Sequence, residues 1–180
     1  MQLILYYAPN ACSLVPYVTL TEAGAPFEVR PLNFRKSQHM MPEYLRLNPK
    51  HKVPVLVIDG MPLTENVAIQ TWIARNFAAA RLFPADPMQE LKAISLLAWC
   101  ASGIHPFLSR INSPTRVCDL PGAEESVRRL ATQQLFETIR SPMICSPIAN
   151  GSSIILQPSM RTSSGAFGEA PNSTSIFRNS

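Results

Sequence analysis

Seventeen prolines constrain the fold of this chain more than any other feature. Proline fixes φ, removes a backbone donor and breaks a helix interior, so this frequency excludes a plain helical bundle. Their positions also divide the sequence into short units. Leu3-Ile4-Leu5-Tyr6-Tyr7, closed by Ala8-Pro9-Asn10, reads as a buried strand running into a turn. Ser13 to Gly24 then carries helix signals: apolar residues at 14, 17, 18 and 20, Pro16 in the first turn, and Gly24 placed to end the last. Phe27 to Leu32 alternates like a second strand, which a right-handed crossover places parallel to the first.

The segment through Pro42 to Pro49 predicts a short helix stopped before proline, and Val53 to Leu63 a hairpin turning at Asp59-Gly60. Thr64-Glu65-Asn66 opens an amphipathic helix to about Ala78, with Val67, Ile69, Trp72, Ile73 and Phe77 on its apolar face. Residues 1–80 therefore predict a β-α-β-α-β-β-α domain. Arg81 to Pro87, with two prolines, is the expected linker. Helical periodicity returns over Met88 to Ser102 and Glu124 to Glu137, which predicts a partial all-α domain over 88–140, with a break near His105-Pro106. From 141 to 180 there are ten serines, three charged side chains and no sustained period, so nothing there specifies a core.

At 180 residues and 46% apolar content, one or two domains with a real core are expected. No run approaches the ~20 apolar residues of a membrane span, and the opening lacks a secretion signal, so the expected location is cytoplasmic with no membrane partner. Sixteen basic against twelve acidic residues are spread along the chain without a basic stripe, which argues against nucleic acid. The excess either draws a small anion or is a solvated surface. Cysteines at 12, 100, 118 and 145 form no C-x-x-C pair, so neither a disulfide framework nor a metal site is expected, and an important cysteine must act singly.

Cys12 is the candidate. It precedes the first helix, where unpaired N–H groups and the helix dipole would favour its thiolate, and Ser13 could donate to that sulfur or to a bound thiol. The alternative is a small buried cysteine in a turn. Val53-Pro54 stands before a strand; a cis bend there would expose the Val53 backbone for antiparallel pairing with an extended peptide, whereas a trans peptide is the ordinary isomer. The helix start at Thr64-Glu65-Asn66 can hold a carboxylate on its N–H groups and an ammonium on Glu65, or can be a plain cap. His39, His51 and Lys52 flank the hairpin as anion contacts or as surface residues. His105 either faces the cleft or is structural.

Taken together, Y-Y-A-P-N-A-C-S, N-P-K-H-K-V-P-V-L, L-T-E-N-V-A-I and L-F-P-A-D-P resemble the cytosolic glutathione transferases of bacteria, and Cys12 in A-C-S resembles the cysteine of the beta class. The likeness spans about residues 1–138. It implies a thioredoxin-like α/β first domain, an all-α second domain, glutathione as co-substrate, no metal, a hydrophobic electrophile and a homodimer. Carried over by position, Cys12 with Ser13 would contact the glutathione sulfur or form a mixed disulfide with it. Val53 and cis-Pro54 would bind the cysteinyl backbone, and Glu65 with Asn66 the γ-glutamyl end. Lys52 stands where glutamine is common, His39 matches a glycyl-carboxylate contact, and His105 a histidine of the electrophile pocket. The implied reaction is conjugation of glutathione to electrophiles; alternatives are thiol–disulfide reduction or an inactive glutathione-binding fragment.

The tail departs from that pattern. Shifting the codon frame so that each new codon takes the third base of one and the first two of the next, 150–165 permits E-W-F-F-D-H-F-T-A-V-D-A-Y-F-F-W, which resembles the missing core helix. The expectation is that residues from about 138 to 180 result from a frameshift in the gene or its sequencing, leaving the second domain incomplete.

Overall fold

The structure, a computed structural model, describes residues 1–140; the expectations for the tail lie outside the described residues. Four strands form one mixed sheet in the order β2-β1-β3-β4, with β1 Leu3–Tyr7, β2 Glu28–Pro31, β3 Val55–Ile58 and β4 Met61–Thr64. β1 runs parallel to β2, with Ile4 opposite Glu28, and antiparallel to β3, with Leu5 opposite Leu56. The parallel pair is the crossover read from the sequence. The β3–β4 hairpin turns at Asp59 and Gly60, both with positive φ, as a two-residue turn of this hand requires.

The two-residue period of β1 divides the core. Leu3 and Leu5 pack on one face with Leu20 of α1 (Leu14–Glu22) and Ile69 and Ile73 of α3 (Asn66–Asn76). Ile4 points the other way, to Tyr44 of the short α2 (Pro42–Leu45), Val53, Val55 and Val57. Full burial of each such aliphatic side chain stabilises the fold by about 1.5–3 kcal/mol. The end of α1 is fixed by Gly24 at φ +63°: the Ala25 N–H reaches the Leu20 carbonyl and the Gly24 N–H that of Thr21, both at 3.0 Å. These two bonds use carbonyls that a helix end otherwise leaves unpaired.

Asp86 opens α4 (Pro87–Trp99), its carboxylate accepting from the Gln89 N–H at 2.9 Å. Arg75 of α3 donates from Nε and Nη2 to Glu90 Oε1 of α4, at 3.0 and 2.9 Å. The break expected near His105-Pro106 is absent. Cys100–Ile104 instead forms one π-helical turn, and α5 (His105–Asn112) continues directly from it. Pro106 has no N–H for the fourth residue back; the wider turn, in which the His105 N–H reaches the Cys100 carbonyl, carries the chain past that gap. Gly103 lies under Trp99, where a Cβ would sit 3.1 Å from the indole nitrogen.

Helix α6 (Glu124–Ile139) packs on α5, and Arg128 donates to the Ile111 carbonyl at 3.1 Å. Ala93 and Ala131 are the buried apolar residues of these helices, whereas Met88, Leu91, Leu108, Leu130 and Phe136 are exposed. The 26-residue helical run Pro87–Asn112 is long and apolar enough to cross a membrane by length and composition, which the sequence reading had not expected. Glu90, Lys92 and Arg110 interrupt that run, so no unbroken apolar stretch of ~20 residues marks it in the sequence.

Candidate functional site

The turn after β1 is closed by Ser13. Its buried hydroxyl accepts from the Ala8 N–H at 3.0 Å and donates to the Ala8 carbonyl at 3.1 Å. In the free chain the single hydroxyl proton therefore lies on backbone rather than on the Cys12 sulfur.

Cys12 also differs from expectation. The Leu14 and Val15 N–H groups donate to the carbonyls of Ala11 and Cys12, at 3.0 and 3.3 Å, rather than to sulfur. The thiol itself donates to the Val53 carbonyl at 3.1 Å. Burial pushes the Cys12 thiol above its ordinary range, partly offset by its own backbone N–H; Glu65 raises it further and Lys52 lowers it. The resting group is a neutral thiol at neutral pH, not the thiolate inferred from the helix dipole. The helix dipole adds little here because the Leu14 and Val15 N–H groups are already bonded to carbonyls and partial burial opposes the charged form.

The partner of that thiol is held from behind. The Tyr44 hydroxyl and the Asn48 amide both donate to the Lys52 carbonyl, at 2.6 and 2.7 Å, and Asn48 Oδ1 accepts from the Lys50 N–H at 3.1 Å. Tyr44 and Asn48 are both almost fully buried. Burial also keeps the Tyr44 phenol protonated well past its ordinary range. The Val53–Pro54 peptide is cis. Tyr44 and Asn48 were missed as site residues because their side chains act on backbone; the signal present in the sequence was the Asn48-Pro49 stop.

The mouth of α3 completes the cluster. Glu65 stands at its N-cap with φ +72° and makes no side-chain cap, so the first-turn N–H groups keep their outward direction. The Asn66 amide donates to the Cys12 carbonyl at 3.0 Å, while its Oδ1 is buried without a protein partner among the described residues. The Lys50 ammonium, which sequence reading passed over, pairs with the Glu65 carboxylate and donates to Thr64 Oγ1 at 2.9 Å. Glu65 thus already holds an ammonium group.

His39 and His51 form a separate pair, their rings 6.3 Å apart, with Phe34 edge-on to His39 at 4.8 Å. Burial, then the nearby His51 and Arg116, hold the His39 imidazole below its ordinary range, so it is neutral at pH 7. Its Nδ1 is buried and has no protein partner among the described residues. His105 is exposed at the first position of α5. The structure joins Cys12, Val53, Glu65 and Asn66 by hydrogen bonds or close charge, with Lys52 beside them; His105 lies on another element. Among the described residues no group of three His, Cys, Asp or Glu side chains could hold a metal ion.

Residues 1–75 match the family described as glutathione S-transferase, N-terminal domain. The chain is 35% identical over 104 residues to glutathione S-transferase GstA of Escherichia coli O157:H7, covering 56% of this chain and 52% of that protein. It is 32% identical over 127 residues to maleylacetoacetate isomerase of Rhizobium meliloti, covering 70% and 59%. The chain therefore spans about half to three fifths of these relatives. Among solved structures it is similar to a glutathione-S-transferase from Xylella fastidiosa, with TM-score 0.70 and 27% identity, covering 76% of this chain and 66% of that one. The fold is also that of a glutathione transferase homologue from Sulfitobacter solved with bound glutathione, with TM-score 0.71 and 24% identity, covering 79% and 73%.

Proposed function

We propose, on the match of residues 1–75 to the glutathione S-transferase N-terminal domain and on the similarity to glutathione S-transferase GstA, that this chain is a member of that family, binds glutathione and transfers it to small electrophiles. One observation carries the reading: the Cys12 thiol, the Val53 backbone and the mouth of α3 meet in one cluster. An extended cysteinyl residue pairs its N–H with the Val53 carbonyl, which brings its sulfur to Cys12. Its γ-glutamyl carboxylate takes the free N–H groups at the start of α3, and its ammonium replaces that of Lys50 on Glu65. The exposed Lys50–Glu65 pair is weak enough to yield to a ligand. His39 and Lys52 are the proposed partners of the glycyl carboxylate.

A neutral Cys12 is suited to donating. When the incoming N–H takes the Val53 carbonyl, the Cys12 S–H turns to the glutathione sulfur and stabilises its thiolate. That thiolate attacks the electrophilic carbon, a C–S bond forms, the leaving group departs with its electron pair, and the thiol proton passes to water. We further propose a beta-class member, on the position of Cys12, and a cytoplasmic location, on the free thiols of Cys12, Cys100 and Cys118. A hydrophobic electrophile and a homodimer are proposed on the exposed apolar residues of α4 to α6.

The test uses the full chain, shown to be folded, on immobilised glutathione and in conjugation of an aryl halide. Retention with turnover is expected, and Cys12→Ala should keep retention while losing about ten- to a hundredfold in kcat, the worth of one hydrogen bond to a charged sulfur. Folded protein showing neither retention nor turnover overturns the reading.

A further inference from the structure

We propose that Asn66 is a positioning residue that holds Cys12 against the Val53 carbonyl; the inference rests on the glutathione reading of this groove. Cys12 is tied at two points, its carbonyl by the Asn66 amide at 3.0 Å and its sulfur to Val53 at 3.1 Å. The first tie joins the turn before α1 to the first residue of α3, across 54 positions of sequence. The amide has only one productive orientation there. Turned over, Asn66 Oδ1 would face the Cys12 carbonyl oxygen, two acceptors with no proton between them.

In this orientation Asn66 commits one of its two amide N–H groups to Cys12 and turns a buried, unpartnered acceptor away from it. The γ-glutamyl carboxylate takes the backbone N–H groups at the start of α3, which do not depend on this tie. Serine, with a shorter side chain, cannot span the distance that the Asn66 amide bridges. The turn carrying Cys12 is otherwise closed from within, by Ser13 on Ala8. Asn66 is therefore the side chain that registers that turn against the ligand groove.

The experiment compares the full-length wild type with Asn66→Ala and Asn66→Ser. Cys12 alkylation by iodoacetamide is followed from pH 6.5 to 10 without glutathione and resolved from Cys100 by peptide mapping; affinity for S-methylglutathione is measured by calorimetry. The groups facing the sulfur, Glu65 at α3, Lys52 in the bend and Tyr44 on α2, are unchanged in both variants. Opening the turn to water should move the Cys12 midpoint down by about one unit and speed its alkylation about tenfold at pH 7.5. The Cys100 rate should stay at the wild-type value in both variants, since Cys100 lies on another element. Cys12 profiles that superimpose on wild type in both variants overturn the proposal, as does an affinity loss without a Cys12 change. If wild type fails to bind S-methylglutathione, the glutathione reading falls, and the Cys12 profile still decides the role of Asn66.

Discussion

The Cys12 thiol donates a hydrogen bond to the carbonyl of Val53, 41 residues away, at 3.1 Å. This bond needs the proton on sulfur, because a thiolate would face the carbonyl oxygen with no donor between them. It acts in the same direction as burial.

Cys12 should titrate above its ordinary range in the folded chain. Because the folded state favours the protonated form, the associated stability is present below the ordinary thiol pKa and is lost as pH rises through the raised folded value. Thiolate absorbance of folded and urea-unfolded chain, with Cys100, Cys118 and Cys145 replaced by serine, should show the folded curve displaced to higher pH. Coincident curves would refute the buried, bonded thiol.

Ser13→Ala should act on stability. It removes the bonds to both backbone groups of Ala8 in a buried turn and leaves them unpaired, at a cost of about 1–3 kcal/mol read as a lower urea midpoint. A variant as stable as wild type would show that the Ala8 groups find other partners.

His39 is neutral at pH 7 in the free chain, held down by burial, His51 and Arg116. A glycyl carboxylate beside it would favour the imidazolium. Its ring resonances, followed through a pH titration, should report a midpoint below that of a free histidine, rising when glutathione is added. No movement with ligand would remove His39 from the site.

Leu56→Ala should cost about 2–5 kcal/mol, since Leu56 is fully buried at the centre of the sheet. Arg75→Ala should cost less than about 1 kcal/mol, because the Arg75–Glu90 pair is open to water on its arginine side. Urea unfolding of both variants measures the contrast. Equal losses would mean that the ion pair, rather than the core, limits stability.

The proposed frameshift is tested by the coding DNA across codons 130–180. The alternative frame should encode an aromatic-rich helix; a frame without one ends the idea.

The order of elements in the first domain was legible because each boundary is local chemistry. Asp59-Gly60 makes a tight turn whatever surrounds it, Gly24 accepts the left-handed conformation that ends α1, and the alternation of β1 assigns Leu5 and Ile4 to opposite faces. Pro106 misled for the same reason. Its missing N–H is local, but the π turn that absorbs it is formed by the five residues before His105.

The candidate residues at 12, 53, 65 and 66 were also named from sequence, whereas what each does was decided by tertiary structure. Whether Cys12 carries a proton depends on its burial and on a carbonyl 41 residues distant; where the Ser13 proton goes depends on how the turn closes; what Asn66 holds depends on α3 meeting that turn. Sequence determines which groups a chain can bring. Hydrogen bonding and desolvation act only over a few ångströms, so the partners that set the chemistry exist once the fold has placed them side by side.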